Sequence, residues 1–592
     1  MVNSGRDVSP IIPEVAKPDH QPPSRVSTAA FLIKSNLLKI GRAAGDANSS
    51  LQRWTAGEPC AFPILLAESR TPLWQDTDSA ERPLQQGKVQ NLRCAVLHLH
   101  HIVIPAGGIF SFWKQIGRAT RRHGYVEGRQ LQEGCIVPAI GGGLCQLSNE
   151  LYDLALRAGC EIIERHPHTR IVPGSAAAQG RDATVYWNYI DLRFRCLQAV
   201  MLDARLTADT LIVRLYGRQT APLPSLPELQ AAAPPQSATD EGQSCLNCGV
   251  ETCFRHRAPA IIFQPRDSVG RTAYLLDEWS PEFDIWLQAT HTASDVLAIP
   301  IDGRRRKLAR YGWGADGYAA LRTAPLETLW GSLMARRLAQ QGAARQQAQL
   351  RRAEALARRL AAALTPDCER ACVAQSLLPY LWRDGHLGGR RFTVLLTRQP
   401  IATLQANLDA AAILHPDSPT LRDFRAPSWL AAAESEALQA AERLVTPHTY
   451  LASLVPHKTR LLPRALPKTP RRAPGSAIVF PGPTVARKGA YELREAARRL
   501  DLEILLCGRD LEGAGFWDGV RTRRLQPFED WLEHAAMVVQ PAFIEDRPRH
   551  LLRAIAAGIP VVVTDRCGLS KQPGVQTVPC GDVAALVTAL KY

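Results

Sequence analysis

Gly141-Gly142-Gly143-Leu144-Cys145-Gln146 sets a thiol directly behind three consecutive glycines. The residues after it keep helical spacing, with Leu147, Leu151, Leu154 and Ala158 on one stripe. Consecutive glycines permit a tight turn and close backbone approach to a bound group. A cysteine in the first turn of the helix that follows meets N–H groups with no partner inside that helix, and these favour a thiolate. Downstream stand His166, His168, Asp182 and Asp191, the last two flanking the strand-like Thr184-Val185-Tyr186-Trp187. A thiol, an imidazole to take its proton and a carboxylate to orient the imidazole form a set for nucleophilic catalysis. A structural cysteine under a glycine turn, with histidine and aspartate as satisfied polar groups, is the alternative.

A second cluster has metal-ligand spacing. Cys245-x2-Cys248-x4-Cys253-x2-His256 places four ligands within twelve residues, and Gly249 lets the chain fold back on itself. Three cysteines and one histidine suit tetrahedral zinc. An iron–sulfur cluster is the alternative cofactor, with His256 or another cysteine completing it. Unpaired thiols in a loop are the third reading. The cluster lies between two folded units, which favours a structural role over a catalytic one.

These residues need elements to hold them. A chain of 592 residues implies several cores. Residues 1–28 read as a disordered leader, 29–91 as a helical lead-in broken by Pro63, Pro72 and Pro83, and 92–215 as the first compact block. A Pro/Ala-rich linker spans 216–244, and the cysteine cluster occupies 245–258. From about residue 260 the pattern turns α/β. Ala273–Leu276 and Phe392–Leu396 are strand candidates, and between them lies an arginine-rich amphipathic helix with Leu350, Leu356 and Leu360 close to one face. A fresh alternation follows the proline-rich stretch ending at Gly475. Its strands are expected at Ala477–Phe480, Glu503–Leu506, Met537–Val539 and Pro560–Val563.

The balance of 71 Lys+Arg against 56 Asp+Glu leaves a net charge of +15. Arginines spread along the chain make a solvated basic surface, with peripheral contact to an anionic membrane as an option. No nucleic-acid-binding motif accompanies the charge, so no nucleic-acid partner is expected. The charged, proline-bearing N-terminus is no secretory signal, and no apolar run reaches the roughly 20 residues that span a bilayer. These features predict a cytoplasmic protein.

Phe110-Ser111-Phe112, Gly124-Tyr125, the GGGLCQLS run, Glu164-Arg165, His168, Asp182-Ala183-Thr184-Val185, Asp191 and Phe194 together resemble the VanW family over about 100 residues. Trp113 and Cys196 stand where that family more usually has asparagine. The resemblance singles out His168 as the base, with Asp182 to orient it, so the candidate catalytic residues are Cys145, His168 and Asp182. It also implies a link to the cell envelope. The chain order of Cys, helix, His, strand, Asp is similar to that of papain-like and transglutaminase-like hydrolases, though the latter carry histidine where this chain has Asp182.

PGPTVARKGAYELREAARRL and VVQPAFIEDRPRHLLRAIAAGIPVVVTD make residues 476–592 resemble the donor half of a retaining GT-B glycosyltransferase, with 260–470 as the acceptor half. The fold expected is α/β multidomain: an α+β VanW-like domain followed by a GT-B-like pair of Rossmann-type domains. The resemblance implies donor-binding residues Gly482, Arg487, Lys488, Gly489, Glu545 and Arg553, with Lys488 against a diphosphate and Glu545 against a sugar or ribose hydroxyl. Arg553 stands where the family has a second glutamate, and Pro483 about where it has an arginine. The function expected is glycosyl transfer in cell-envelope or surface-polysaccharide assembly. A nucleotide-sugar is the donor, and a glycan, lipid-linked or peptide molecule the acceptor. The alternatives are a cysteine-dependent hydrolase or transferase coupled to a nucleotide-sugar sensor, and a non-catalytic adaptor.

Overall fold

The computed structural model describes residues 25–47, 49, 51–74, 81–132, 135–168, 180–218, 253, 270–338, 342–422, 425–473, 475–526 and 529–591. Three bodies follow one another along these residues. The first begins with α1 (Arg25–Ala47), β1 (Ile64–Pro72), α2 (Arg82–Val96), β2 (Ile102–Ile104), β3 (Ile109–Ser111) and α3 (Phe112–Ile116). It continues through β4 (Glu127–Gln132), β5 (Cys135–Ile140), α4 (Leu144–Arg157), β6 (Glu161–Glu164), β7 (Arg193–Arg195), β8 (Val200–Leu206) and β9 (Thr210–Gly217). Its main sheet has the antiparallel order β1-β9-β8-β2, beside a β3-β7-β6 sheet and the β4–β5 hairpin. Leu211, Val213 and Leu215 alternate inward along β9, and Leu147, Leu151 and Leu154 of α4 pack into the same core.

The helical lead-in expected over 29–91 needs correction. Ile64–Pro72 is the edge strand of the main sheet, paired with β9 from Ile64 to Pro72. Pro63 and Pro72 bound it because a residue without an N–H is tolerated at the ends of an edge strand. α2 also runs across residue 92, and Val89, Leu92, Ala95 and Val96 enter one core with α4. The body therefore starts well before Leu92. The strand-like segment at 184–187 is an extended loop with one bridge between Tyr186 and Ile190. Its backbone hydrogen bonds go elsewhere: Ala183 N–H donates to Asn149 Oδ1 (2.8 Å), and Thr184 N–H donates to the His166 carbonyl (2.8 Å).

The second body runs through β10 (Arg271–Leu275), α5 (Pro281–Gln288), β11 (Val296–Ile299), β12 (Ala320–Thr323), α6 (Pro325–Arg337), α7 (Gly342–Leu360), β13 (Cys368–Ala374) and α8 (Leu378–Arg383). It closes with β14 (Arg391–Leu395), α9 (Ile401–Leu414), α10 (Ser428–Ala440), β15 (Arg443–Thr446), α11 (Thr449–Leu454) and β16 (Thr459–Leu461). The seven strands are parallel in the order β12-β11-β10-β13-β14-β15-β16. The arginine-rich amphipathic segment ends in α7, which buries Leu356, Ala357 and Leu360.

The third body comprises β17 (Ala477–Phe480), α12 (Ala490–Leu500), β18 (Glu503–Leu506), β19 (Arg521–Arg524), β20 (Ala535–Gln540), α13 (Arg549–Ala557), β21 (Val561–Thr564), β22 (Val575–Val578) and α14 (Val583–Ala589). Its six parallel strands have the order β19-β18-β17-β20-β21-β22. In both parallel sheets the first strand lies in the middle and the chain reverses its direction of winding beside it. That makes two Rossmann-type domains, each with a ligand crevice at the carboxyl ends of its central strands.

Candidate functional sites

α4 places Cys145 in its first turn, behind Gly143 in the left-handed conformation (φ 95°). The glycine turn is held by this chain's own backbone. A Cβ on Gly142 would meet the Gly128 carbonyl oxygen of β4 at 2.3 Å, and one on Gly143 would meet the Lys88 side chain at 2.2 Å. Asn91 of α2 locks the approach, donating to the Gly142 carbonyl (2.9 Å) and the Val126 carbonyl (3.0 Å) and accepting from Val126 N–H (2.8 Å). The close approach expected of these glycines is thus to β4 and α2.

His168 and Asp182 come to this helix terminus. Asp182 is buried and its carboxylate is fully engaged. The His168 backbone N–H and ring Nδ1 both bond to its Oδ2 at 2.6 Å, and an Arg165 terminal nitrogen donates to its Oδ1 at 2.7 Å. Arg165 Nε also donates to the Asp182 carbonyl (2.7 Å), and the guanidinium lies 5.2 Å from the Tyr152 ring centroid. With Nδ1 committed to a carboxylate, the other ring nitrogen is left for the thiol. The neighbouring Cys145 thiol first, and then the bond and charge of Asp182, outweigh burial and raise the imidazole above its usual 6.5. Burial pushes the Asp182 carboxyl up, but the two His168 bonds and the Arg165 charge win and hold it below 3.8. The thiol also approaches the Val185 carbonyl at 3.8 Å, and Ser148 ties α4 to the same loop through the Ala183 carbonyl (2.5 Å). A thiol at a helix N-terminus, an imidazole to take its proton and an orienting carboxylate can together attack an electrophilic carbonyl, with the helix N-terminus to face developing negative charge.

Sequence reasoning missed Arg165 as the second anchor of Asp182, although it lies inside the Glu164-Arg165 pair already singled out. Asp191 is a structural group. It accepts from Ser111 Oγ (2.6 Å), Trp113 N–H (3.1 Å) and Arg193 Nε (2.8 Å), fixing α3 against β7. Trp113 donates its indole N–H to the Ile190 carbonyl (2.8 Å). Among the described residues, His100, His101 and Asp203 are grouped closely enough to hold a cation. Arg205 already fills that space, bonding Asp203 Oδ2 (2.7 Å) and His101 Nε2 (3.0 Å).

The second site is the crevice between the two parallel sheets. Lys488 lies at the turn into α12, and its ammonium pairs with the Glu545 carboxylate beyond β20. Gln540 donates to the same carboxylate and Arg547 N–H donates to Oε1 (3.1 Å). Burial would raise Glu545, but the Lys488 charge and hydrogen bond prevail and lower it. Gly489, at φ 80°, closes the loop: a Cβ there would meet the Pro541 carbonyl oxygen at 2.2 Å. Arg487 contributes its carbonyl, which accepts from Phe543 and Ile544 N–H (3.0 and 3.1 Å). Gly482 faces open space, with nothing within 4 Å of a Cβ.

The opposing wall comes from the second body. His448, just past β15, bonds the Glu545 carbonyl through Nε2 (2.9 Å), and burial lowers its imidazole to about 4, so it is neutral at pH 7. Glu278, past β10, pairs with Arg547 and Arg310. Burial opposes its ionisation, yet those cations hold it at about 2. From the third body, Asp546 reaches this wall and accepts from Gln399 N–H (3.0 Å), and burial raises its carboxyl to about 6. None of these three residues, His448, Glu278 and Asp546, was read from the sequence. Each acts through a partner at least 97 positions away, a distance no local pattern reports.

Arg553 is the remaining residue expected at the donor. It bonds Asp530 (3.4 Å) and lies over the Trp531 ring, 5.5 Å from its centroid. Of the candidate metal ligands, Cys245, Cys248 and His256 lie outside the described residues, and Cys253 is a half-buried free thiol. The first body and the crevice lie at opposite edges of the second sheet. The first body grips its amino edge, where Arg82 bonds Glu369 at the start of β13 (2.8 Å) and Arg391 at the start of β14 bonds Asp209. The crevice opens at its carboxyl edge, where Glu278 and His448 stand.

Residues 87–216 match the family model described as VanW like protein. The uncharacterized protein YoaR of Bacillus subtilis is 37% identical over 120 residues, 20% of this chain and 39% of that protein. The vancomycin B-type resistance protein VanW of Enterococcus faecalis is 33% identical over 144 residues, 24% of this chain and 52% of that protein. The chain thus spans between two fifths and about half of the curated relatives it matches. Similar solved structures include sucrose-phosphate synthase from Thermosynechococcus elongatus, with TM-score 0.34 and 12% identity over 55% of this chain and 89% of that one. WaaG, a glycosyltransferase involved in lipopolysaccharide biosynthesis, has TM-score 0.29 and 14% identity over 54% of this chain and 90% of that one. The strand orders, not these scores, define the fold. The chain carries a VanW-like domain at residues 87–216, joined to two Rossmann-type domains in the tandem arrangement of the GT-B fold.

Proposed function

We propose that the crevice between the two Rossmann-type domains binds a nucleotide-sugar and transfers its glycosyl group to an acceptor in cell-envelope or surface-polysaccharide assembly. The observation that carries this reading is the Lys488–Glu545 pair at the carboxyl edge of the third sheet, facing His448 and Glu278 across the cleft. A cation there can neutralise a leaving diphosphate, and a buried carboxylate can accept from a sugar or ribose hydroxyl. The pair must open to admit the ligand, so donor binding replaces one ion pair by another. The test is release of nucleoside diphosphate from a set of nucleotide-sugars by the whole protein. Turnover that Lys488→Ala abolishes supports the reading, and no turnover and no binding at millimolar donor refutes it.

A second reading concerns the VanW-like domain alone. The Cys145–His168–Asp182 constellation favours a thiol nucleophile acting on an acyl or amide group of an envelope-type acceptor. It is separate from the crevice, so each reading stands without the other. Faster alkylation of Cys145 than of exposed Cys60, slowed by His168→Ala, supports it; equal rates at the two thiols refute it.

A further inference from the structure

α6 turns its apolar side outward. Leu326, Leu329, Trp330 and Leu333 are 77%, 56%, 66% and 43% exposed, and their spacing puts them on one face. The opposite side makes the contacts with the protein. Thr328 is buried and bonds the Pro300 and Ala324 carbonyls (3.0 and 2.6 Å), and a Cβ on Gly331 would meet the Arg352 side chain of α7 at 2.4 Å. A soluble surface rarely places three leucines and a tryptophan side by side without a partner to cover them.

Exposed cations stand at the end of α6 and on the loop that packs against it. Arg336 and Arg337 end α6 and are exposed, while Glu327 is the only acidic residue in that helix. The loop leaving β11 carries exposed Arg304, Arg305, Arg306 and Lys307. The two segments are neighbours. Pro300, at the head of that loop, is the residue Thr328 bonds, and Tyr311 at its far end meets Arg352 of α7. Asp302 and Asp284 take part in the loop's own contacts, Asp302 capping Arg305 N–H (3.0 Å) and Asp284 pairing with Arg304 (3.2 Å). Arg305, Arg306 and Lys307 are three exposed positive charges on the loop whose head Thr328 of α6 holds.

We propose that α6 and the 304–307 loop form a docking surface for an anionic lipid bilayer. Leucines and a tryptophan on one helix face enter the boundary between headgroups and acyl chains, and the arginines and lysine meet the phosphates. No helix of the described residues is long and apolar enough to cross a membrane, so the attachment is peripheral. The inference does not depend on either catalytic reading.

The experiment is co-sedimentation of the full chain with vesicles of phosphatidylcholine alone and of phosphatidylcholine mixed with phosphatidylglycerol. Binding is expected to the anionic vesicles only, and to fall as salt is raised. Leu329→Glu/Trp330→Glu should lower the vesicle partition coefficient more than about tenfold, because it charges the inserted face. Arg305→Gln/Arg306→Gln/Lys307→Gln should lower it similarly on anionic vesicles, since each cation lost removes a phosphate contact. Circular dichroism and thermal unfolding should be unchanged in both variants, because every substituted residue is exposed. Quenching of tryptophan fluorescence by brominated lipid, present in the wild type and reduced in Trp330→Phe, places the helix in the bilayer. No binding to anionic vesicles, or binding that both variants retain, overturns the proposal. Self-association of the wild type lost in Leu329→Glu/Trp330→Glu, without vesicle binding, overturns it in favour of a second copy of this chain.

Discussion

Asp182→Asn tests the constellation around Cys145 most directly, because it changes one atom type in a buried and fully engaged group. The carboxylate accepts from His168 N–H, His168 Nδ1 and Arg165. An asparagine keeps one acceptor oxygen and turns an NH2 toward donors, so either the Arg165 bond or both His168 bonds are lost, depending on which side keeps the oxygen. Each bond to a charged group contributes about 1.5 kcal/mol at the low end, which makes the loss about 1.5–3 kcal/mol. In a chain of several domains this loss is read locally, as hydrogen exchange in residues 180–187. Opening there should become easier by about 1.5–3 kcal/mol, an acceleration of about 10- to 150-fold. The effect has a pH window. Asp182 is depressed, so its contribution is present above 3.8 and lost as pH falls through its folded value. His168 is raised, so its contribution is present below 6.5 and lost as pH rises through its folded value. The difference between wild type and variant should therefore be greatest between pH 3.8 and 6.5 and shrink outside it. His168 itself, followed by NMR, should titrate lower in Asp182→Asn and lower still in Cys145→Ser, because the thiol is the larger cause of its shift. An unchanged His168 midpoint in both variants, with equal exchange inside the window, would refute the coupling.

Lys488→Ala should weaken binding of a nucleoside diphosphate by about 1.5–3 kcal/mol in calorimetric titration. Glu545→Ala should weaken a nucleotide-sugar more than the bare diphosphate, and the reverse order would place the carboxylate away from the sugar. Gly142→Ala should destabilise the VanW-like domain by more than about 1 kcal/mol, since its Cβ meets backbone atoms that cannot move aside, and unchanged thermal unfolding would refute that packing. The run Cys245-x2-Cys248-x4-Cys253-x2-His256, proposed as a zinc site with iron–sulfur as the alternative, should carry about one metal per chain, lost in Cys248→Ser/Cys253→Ser. Elemental analysis distinguishes the two, and metal-free protein of full stability means the thiols are incidental.

The sequence by itself determined the local elements and the chemistry they carry. Three glycines before an amphipathic repeat mark a helix with a cysteine at its head, and α4 begins one residue before Cys145. Short β-branched runs separated by helices mark parallel strands, and β17, β18, β20 and β21 lie where those runs are. These features are legible because they depend on neighbours within one or two turns of chain. Strand β1 was not, because prolines at its ends mask an edge strand as a broken helix, and only pairing with β9 makes it a strand. Tertiary structure alone decided that the glycine turn closes on β4, that Arg165 shares Asp182 with His168, and that Arg553 bonds Asp530. It also decided that Lys488 and Glu545, 57 positions apart, form a buried pair. Burial sets the energy of such charges, and which groups are buried together depends on how the sheets close, a property that no window of sequence contains.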